Sequence, residues 1–250
     1  MADLNLVIEY ARGAPKAAAL QGWADSISTL TGGTHSVRVF FGGELVPAFE
    51  TLDAVISGMV DMAWMAPSYY PSHLLTLGAL SAPLLAAAYT DPVILLTSDS
   101  GATSPGDLSS KKNYNGAGGA GASLLTEAGA VSLSLPGAEL YPALQTGLID
   151  GALVSASFAA QLSLEEVSGT QMVFSQAQAQ ALFTQTRSLV INEAAFQALP
   201  ADLRNVLETS TGAGLSRQMS EAALTQYQTA LAEFAAAGGL NEVGGADLTA

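Results

Sequence analysis

The chain has 250 residues, 49% of them apolar and only 12% charged, with 22 acids against 8 bases for a formal charge of −14. This is enough chain and apolar content for a large core or two medium ones, while the negative balance repels phosphate backbones and anionic lipid, so nucleic-acid and membrane-surface binding are disfavoured. Cysteine is absent, which removes thiolate catalysis, disulfides and thiolate metal sites together, and no apolar run reaches the about 20 residues of a membrane span.

In chain order, Leu4–Tyr10 reads as a buried strand that ends at the turn Arg12-Gly13-Ala14-Pro15. Ala19, Leu20, Trp23, Ile27 and Leu30 recur at three and four, which predicts a helix over 15–30, stopped by Gly32-Gly33. Ser36–Phe41 is a second strand, and Pro47 opens a short helix that runs to Gly58 and a strand over 59–65. The apolar stretch 74–88, broken by Pro83, reads as buried helix or turn with a hinge-like crossing at 89–92. A strand over 93–97 and a polar turn follow. Lys111-Lys112-Asn113-Tyr114-Asn115 reads as too polar for a good buried strand, and beyond it lie a glycine-rich turn, a helix to Ala128 and a strand over 131–135. Strand candidates at 170–174 and 187–192 precede a tail over 201–237 that is helical in composition, fraying at Gly212 and Gly214 and ending at Gly238-Gly239. Strands alternating with helices predict an α/β fold with largely parallel sheets.

One unit is written twice. Glu50–Ala66 and Glu139–Ser155 align at an offset of 89, with Glu50/Glu139, Ala54/Ala143, Gly58/Gly147, Asp61/Asp150 and Ala63/Ala152 identical. Each copy reads as an amphipathic helix, a glycine suited to a left-handed cap, an aspartate and a buried strand.

Few constellations carry chemistry. Gly116–Gly121 matches G-x-G-x-x-G, with Glu139 18 residues beyond, but the polar run before it argues for a simple strand-to-helix turn over a dinucleotide site. Asp61 and Asp150 could be paired carboxylates for acid/base or metal work, yet their equivalent places in two copies favour a structural brace. His35 and His73 have no partners at zinc spacing, and no serine stands in a G-x-S-x-G elbow. No catalytic constellation, metal site or cofactor is expected.

The chain resembles the substrate-binding proteins of tripartite ATP-independent periplasmic (TRAP) transporters. The matching stretches are Trp23-Ala24-Asp25 through Thr31-Gly32-Gly33 with Val37–Phe40, Gly42-Gly43-Glu44-Leu45, Ala54–Ala63, Gly129-Ala130-Val131, Tyr141–Ala152, Leu189–Asn192 and Leu199–Arg204, in family order. The resemblance implies a two-lobed periplasmic-binding-protein-like α/β fold with hinged lobes and a long C-terminal helix. Its lobes would close over a small organic acid and deliver it to the transporter's membrane components. The expected division is lobe I at 1–95, completed by about 188–200, lobe II at 96–187, and a helical segment at 201–237 packing on both. A monomeric receptor without catalysis follows. Its location would be periplasmic, and because MADLNLVIEY lacks the basic and apolar regions of a signal peptide, any export signal is expected to have been removed or never to have been there.

Two departures from the family bear on the ligand. Where the family usually places an arginine that pairs with the ligand carboxylate, this chain has Asn115 beside Tyr114, and past Asp150-Gly151 it has Val154-Ser155-Ala156-Ser157 in place of an asparagine or a tryptophan-containing loop. Another cation is then expected to anchor the acid, Arg187 or Arg12 ahead of Lys112, unless the ligand is neutral or has been lost. The expected lining is Tyr10, Arg12, Ser68, Tyr69, Asn115, Gly118, Ser155, Ser157 and Arg187. The rival from another class is a nucleotide-dependent enzyme using Gly116–Gly121.

Overall fold

The computed structural model describes residues 2–70, 84–99, 104–174 and 184–243. The chain divides into two compact units, one of residues 1–89 and 186–225 and the other of residues 90–185 and 226–250.

Unit 1 opens with β1 (Ala2–Ile8), α1 (Pro15–Leu30) and β2 (His35–Phe40). A 3-10 turn (Ala48–Glu50) leads into α2 (Thr51–Ile56) and β3 (Met62–Met65), closed by a second 3-10 turn over Pro67–Tyr69. β4 (Leu84–Thr97) carries the chain onward. Unit 2 then adds β5 (Lys112–Asn115), α3 (Gly119–Glu127), β6 (Val131–Leu133), α4 (Leu140–Gln145), β7 (Gly151–Ser155), α5 (Ala156–Gln161) and β8 (Thr170–Phe174). β9 (Thr184–Ile191) returns the chain to unit 1, where α6 (Glu193–Ala198) and α7 (Ala201–Ser210) follow. The 25-residue α8 (Ala213–Ala237) and β10 (Leu240–Val243) complete the chain.

Both sheets are wired alike. In unit 1, β2 and β3 flank β1 in parallel and β9 joins β3 antiparallel. In unit 2, β6 and β7 flank β5 in parallel and β4 joins β7 antiparallel, with β8 and then β10 beyond β4. Parallel strands covered on both faces need near-continuous apolar sequence, and all four residues of β3 and the first four of β7 are buried. Alternation sends Leu6, Ile8, Met62 and Trp64 to one face of the first sheet, against Leu20, Trp23 and Ile27 of α1, and Val7, Ala63 and Met65 to the other, against Leu52 and Val55 of α2. In unit 2, Leu96, Ala152 and Val154 meet Leu140 and Leu144 of α4, while Leu95, Leu153 and Met172 meet Leu125 of α3. α8 supplies Leu215 and Met219 to the core of unit 1 and Tyr227, Leu231 and Phe234 to that of unit 2.

The repeat holds hydrogen bond by hydrogen bond. Gly58 and Gly147 adopt φ of +74° and +71°, and their amides reach back to the carbonyls of Val55 and Leu144. Met59 and Leu148 likewise bond the carbonyls of Ala54 and Ala143, each at 2.9 Å. Asp61 Oδ2 accepts the backbone N–H of Asn5 at 2.8 Å and Asp150 Oδ2 that of Lys112 at 2.8 Å, so each aspartate starts its strand by tying down the parallel neighbour. Asp61→Ala and Asp150→Ala are each expected to cost about 1–2 kcal/mol in urea unfolding, the loss of a charge-assisted hydrogen bond. With no shared partner the two losses should add, and a strong departure from additivity would count against equivalent, independent braces.

Three sequence expectations are corrected. Lys112–Asn115 does form a strand, β5, and it lies inside the sheet because Gly151, in register with Asn113, carries no side chain: a Cβ there would meet the Asn113 carboxamide and the Leu96 carbonyl. Residues 84–88 belong to the unbroken strand β4, not to a helix or turn, while the chain does pass from unit 1 to unit 2 at 89/90, inside that strand and at the expected crossing. The tail is two helices parted at Gly212, whose φ of +67° ends the first, while Gly214 is inside the second. The stretch 74–83 and His73 lie outside the described residues.

Candidate functional site

In open sheets with parallel strands, ligands bind beyond the carboxyl ends of the strands, and the chemistry-bearing residues of each unit gather there. Glu9 and Tyr10 follow β1, Ser68 and Tyr69 follow β3, and the antiparallel β9 delivers Arg187 to the same end, because Met65 pairs with Ser188.

Arg187 is the centre of the unit 1 cluster. Its side chain is 6% exposed, its Nη2 contacts Glu9 Oε1 at 2.5 Å and donates to Tyr69 Oη at 3.2 Å, and the guanidinium carbon lies 5.0 Å from the Tyr69 ring centre. Burial by itself would push the guanidinium pKa down. Glu9 first, then the Tyr69 and Tyr10 hydroxyls, more than offset this and hold it above the ordinary value, so the group stays charged. Beside it the buried Lys16 places Nζ 4.8 Å from the Tyr10 ring centre, and the Trp64 indole N–H donates to Tyr10 Oη at 3.1 Å. Tyr69 also stacks on Phe49, with ring centres 4.5 Å apart.

Burial pushes the Tyr10 pKa up, against the pull of Lys16 and Arg187, and burial likewise raises Tyr70. A phenol whose folded pKa exceeds its unfolded value stabilises the fold fully below the unfolded value and loses that contribution as pH rises through the folded one. Unfolding midpoints should therefore fall as pH climbs past about 10. The Tyr10→Phe variant should show a shallower fall, and an equal slope in both proteins would refute the role of Tyr10.

The other expected residues are placed as follows. Arg12 is exposed, 3.5 Å from Glu44 and stacked on the Phe41 ring, outside the cluster. In unit 2, Asn115 is the last residue of β5 and Gly118 follows it, while Ser155 is the last residue of the adjacent β7 and Ser157 follows that strand. Ser155 caps α5 by position, and Ser157 is buried in its first turn. Asn115 folds onto its own turn: Oδ1 accepts the Ala117 N–H at 3.1 Å and Nδ2 donates to the Gly118 carbonyl at 2.9 Å.

That turn bears on the nucleotide reading. β5 does run into Gly116, as the fingerprint requires, but the Ala117 amide that could face a phosphate is taken by Asn115. The glycines serve the protein's own packing: a Cβ on Gly116 would meet the Tyr114 ring and the Leu153 carbonyl, and one on Gly121 the Asn115 side chain. His35 lies 4.0 Å from Asp202, and among the described residues no group of three or more His, Asp or Glu side chains could hold a metal ion. No helix among the described residues is long and apolar enough to cross a membrane.

Sequence reasoning missed Glu9, Lys16 and Phe49. Signals for the first two existed: Glu9 is an acid directly after the apolar run Leu6-Val7-Ile8 that ends β1, and Lys16 stands four residues before Leu20 on the buried stripe of α1.

Two α/β units of like topology match the two-lobed fold of periplasmic binding proteins. The chain belongs to the bacterial extracellular solute-binding proteins of family 7, whose model matches residues 7–116 and 117–243. That is a family of solute-binding receptors rather than enzymes. A solute-binding protein of Albidiferax ferrireducens is 35% identical over 100 residues, a match that spans 40% of this chain and 28% of that relative's length. Among solved structures, a TRAP periplasmic solute-binding protein from Rhodoferax ferrireducens with bound malonate has a TM-score of 0.84 at 19% identity, covering 98% of this chain and 88% of the other. One from Roseobacter denitrificans with bound β-D-glucuronate has a TM-score of 0.82 at 18% identity, covering 96% and 88%. A third, from Rhodoferax ferrireducens T118 with copurified benzoate, has a TM-score of 0.80 at 22% identity, covering 98% and 85%. These likenesses establish the fold.

Proposed function

We propose that the protein is a periplasmic receptor that binds a small organic acid and hands it to the membrane components of a TRAP-type transporter, working as a monomer. The observation that carries this reading is Arg187, a charged guanidinium buried at the carboxyl ends of β1 and β3 with Lys16 nearby, in a chain of net charge −14. Desolvated arginine is the side chain best matched to a carboxylate, because its planar fork meets both oxygens. Tyr10 and Tyr69 supply hydroxyls beside it, and Ser68 precedes Tyr69 in the same turn. The acids bound by the structural neighbours named above support the ligand class.

The test is a thermal-shift panel of mono- and dicarboxylates, keto acids, sugar acids and neutral solutes, with NAD and ATP as controls. A ligand at 100 times its Kd stabilises the native state by about 2.7 kcal/mol, which raises Tm by several degrees. Stabilisation by a nucleotide with no response to any acid would replace the receptor reading with an enzymatic one. No response to anything would mean a scaffold that has lost its ligand.

A further inference from the structure

The acid at the centre of the cluster restricts which solutes Arg187 can hold. Glu9 contacts one side of the guanidinium and its side chain is 17% exposed, so any carboxylate brought to Arg187 lies within a few ångströms of a fixed negative charge. The attraction to Arg187 offsets that repulsion for one carboxylate. A second carboxylate on the same solute adds a like charge in a poorly screened setting, where such pairs are costly.

A second observation concerns the body of the solute. Phe49 is 41% exposed and is the one aromatic ring among the large apolar side chains left exposed in the described residues. It stacks on Tyr69, which in turn touches Arg187, so an apolar shelf leads from the surface to the buried cation. An exposed phenyl ring beside a phenol gains stacking and burial when a flat apolar group covers it.

We propose, resting on the organic-acid reading above, that the solute is a monocarboxylate with a flat apolar body of the arylacetate class, with Glu9 rejecting dicarboxylates and Phe49 packing on the body. Titration calorimetry of the whole chain with phenylacetate, butyrate and succinate tests it. Phenylacetate should bind about tenfold or more tighter than butyrate, and succinate weakest of the three. Phe49→Ala should remove the preference for phenylacetate over butyrate, with the larger loss of affinity falling on phenylacetate. Glu9→Gln should improve succinate relative to phenylacetate by about tenfold or more. Succinate binding as tightly as phenylacetate, or a Phe49→Ala variant that keeps full preference, overturns the inference and leaves the acid receptor standing; both readouts survive a Glu9→Gln variant that does not fold. If none of the three acids binds and the wider panel is also silent, the receptor reading falls with it.

Discussion

Replacing Glu9 with alanine is expected to lower the unfolding free energy by about 3–5 kcal/mol, because Arg187 would stay charged and buried without its carboxylate. The guanidinium does not shed its proton to escape, because the ordinary arginine pKa lies so far above neutral that the group stays charged in proteins. Urea unfolding at pH 7 measures the loss. The double variant Glu9→Ala/Arg187→Met should recover most of it, because a thioether of similar length needs no counter-charge. A single-variant loss below about 1 kcal/mol would mean that water, not Glu9, supports the arginine.

Arg187→Met is expected to weaken carboxylate binding by about 100-fold or more, the usual consequence of truncating one member of a desolvated charge pair. Arg187→Lys keeps the charge but loses the planar fork and the contact with the Tyr69 ring, and should fall in between, at about tenfold. Calorimetry reads both, with circular dichroism confirming that each variant is folded. Unchanged affinity in a folded Arg187→Met protein would remove this residue from the site and return the question to unit 2.

Much of the architecture was legible because periodicity records burial. The apolar spacing in α1 gave its bounds at both ends, and the repeat at an offset of 89 gave a helix, a left-handed glycine and an aspartate in each copy, all of which recur in three dimensions. β5 was not legible because its polarity is tolerated only by a residue 38 positions away: Asn113 fits inside the sheet because Gly151 opposite it has no Cβ. For the same reason the sequence favoured a simple turn at the glycine-rich stretch on the polarity of the residues before it, not on the packing that occupies it. Its competing uses, cradling a phosphate or packing against Asn115 and Tyr114, differ only in where those side chains point.

The sequence by itself determined the class of fold, the duplicated helix-to-strand unit and the exclusion of thiolate chemistry, since these depend on composition and on spacing within short windows. Only the tertiary structure decided which of the two candidate arginines is buried. Arg12 and Arg187 looked equivalent as anchors, but Arg12 follows β1 into solvent and pairs with Glu44, whereas Arg187 reaches the same strand ends from a segment 178 residues after Glu9 and meets it there. A charge becomes a strong anchor when it is desolvated and paired, and desolvation belongs to the packing of distant segments, which no local pattern records.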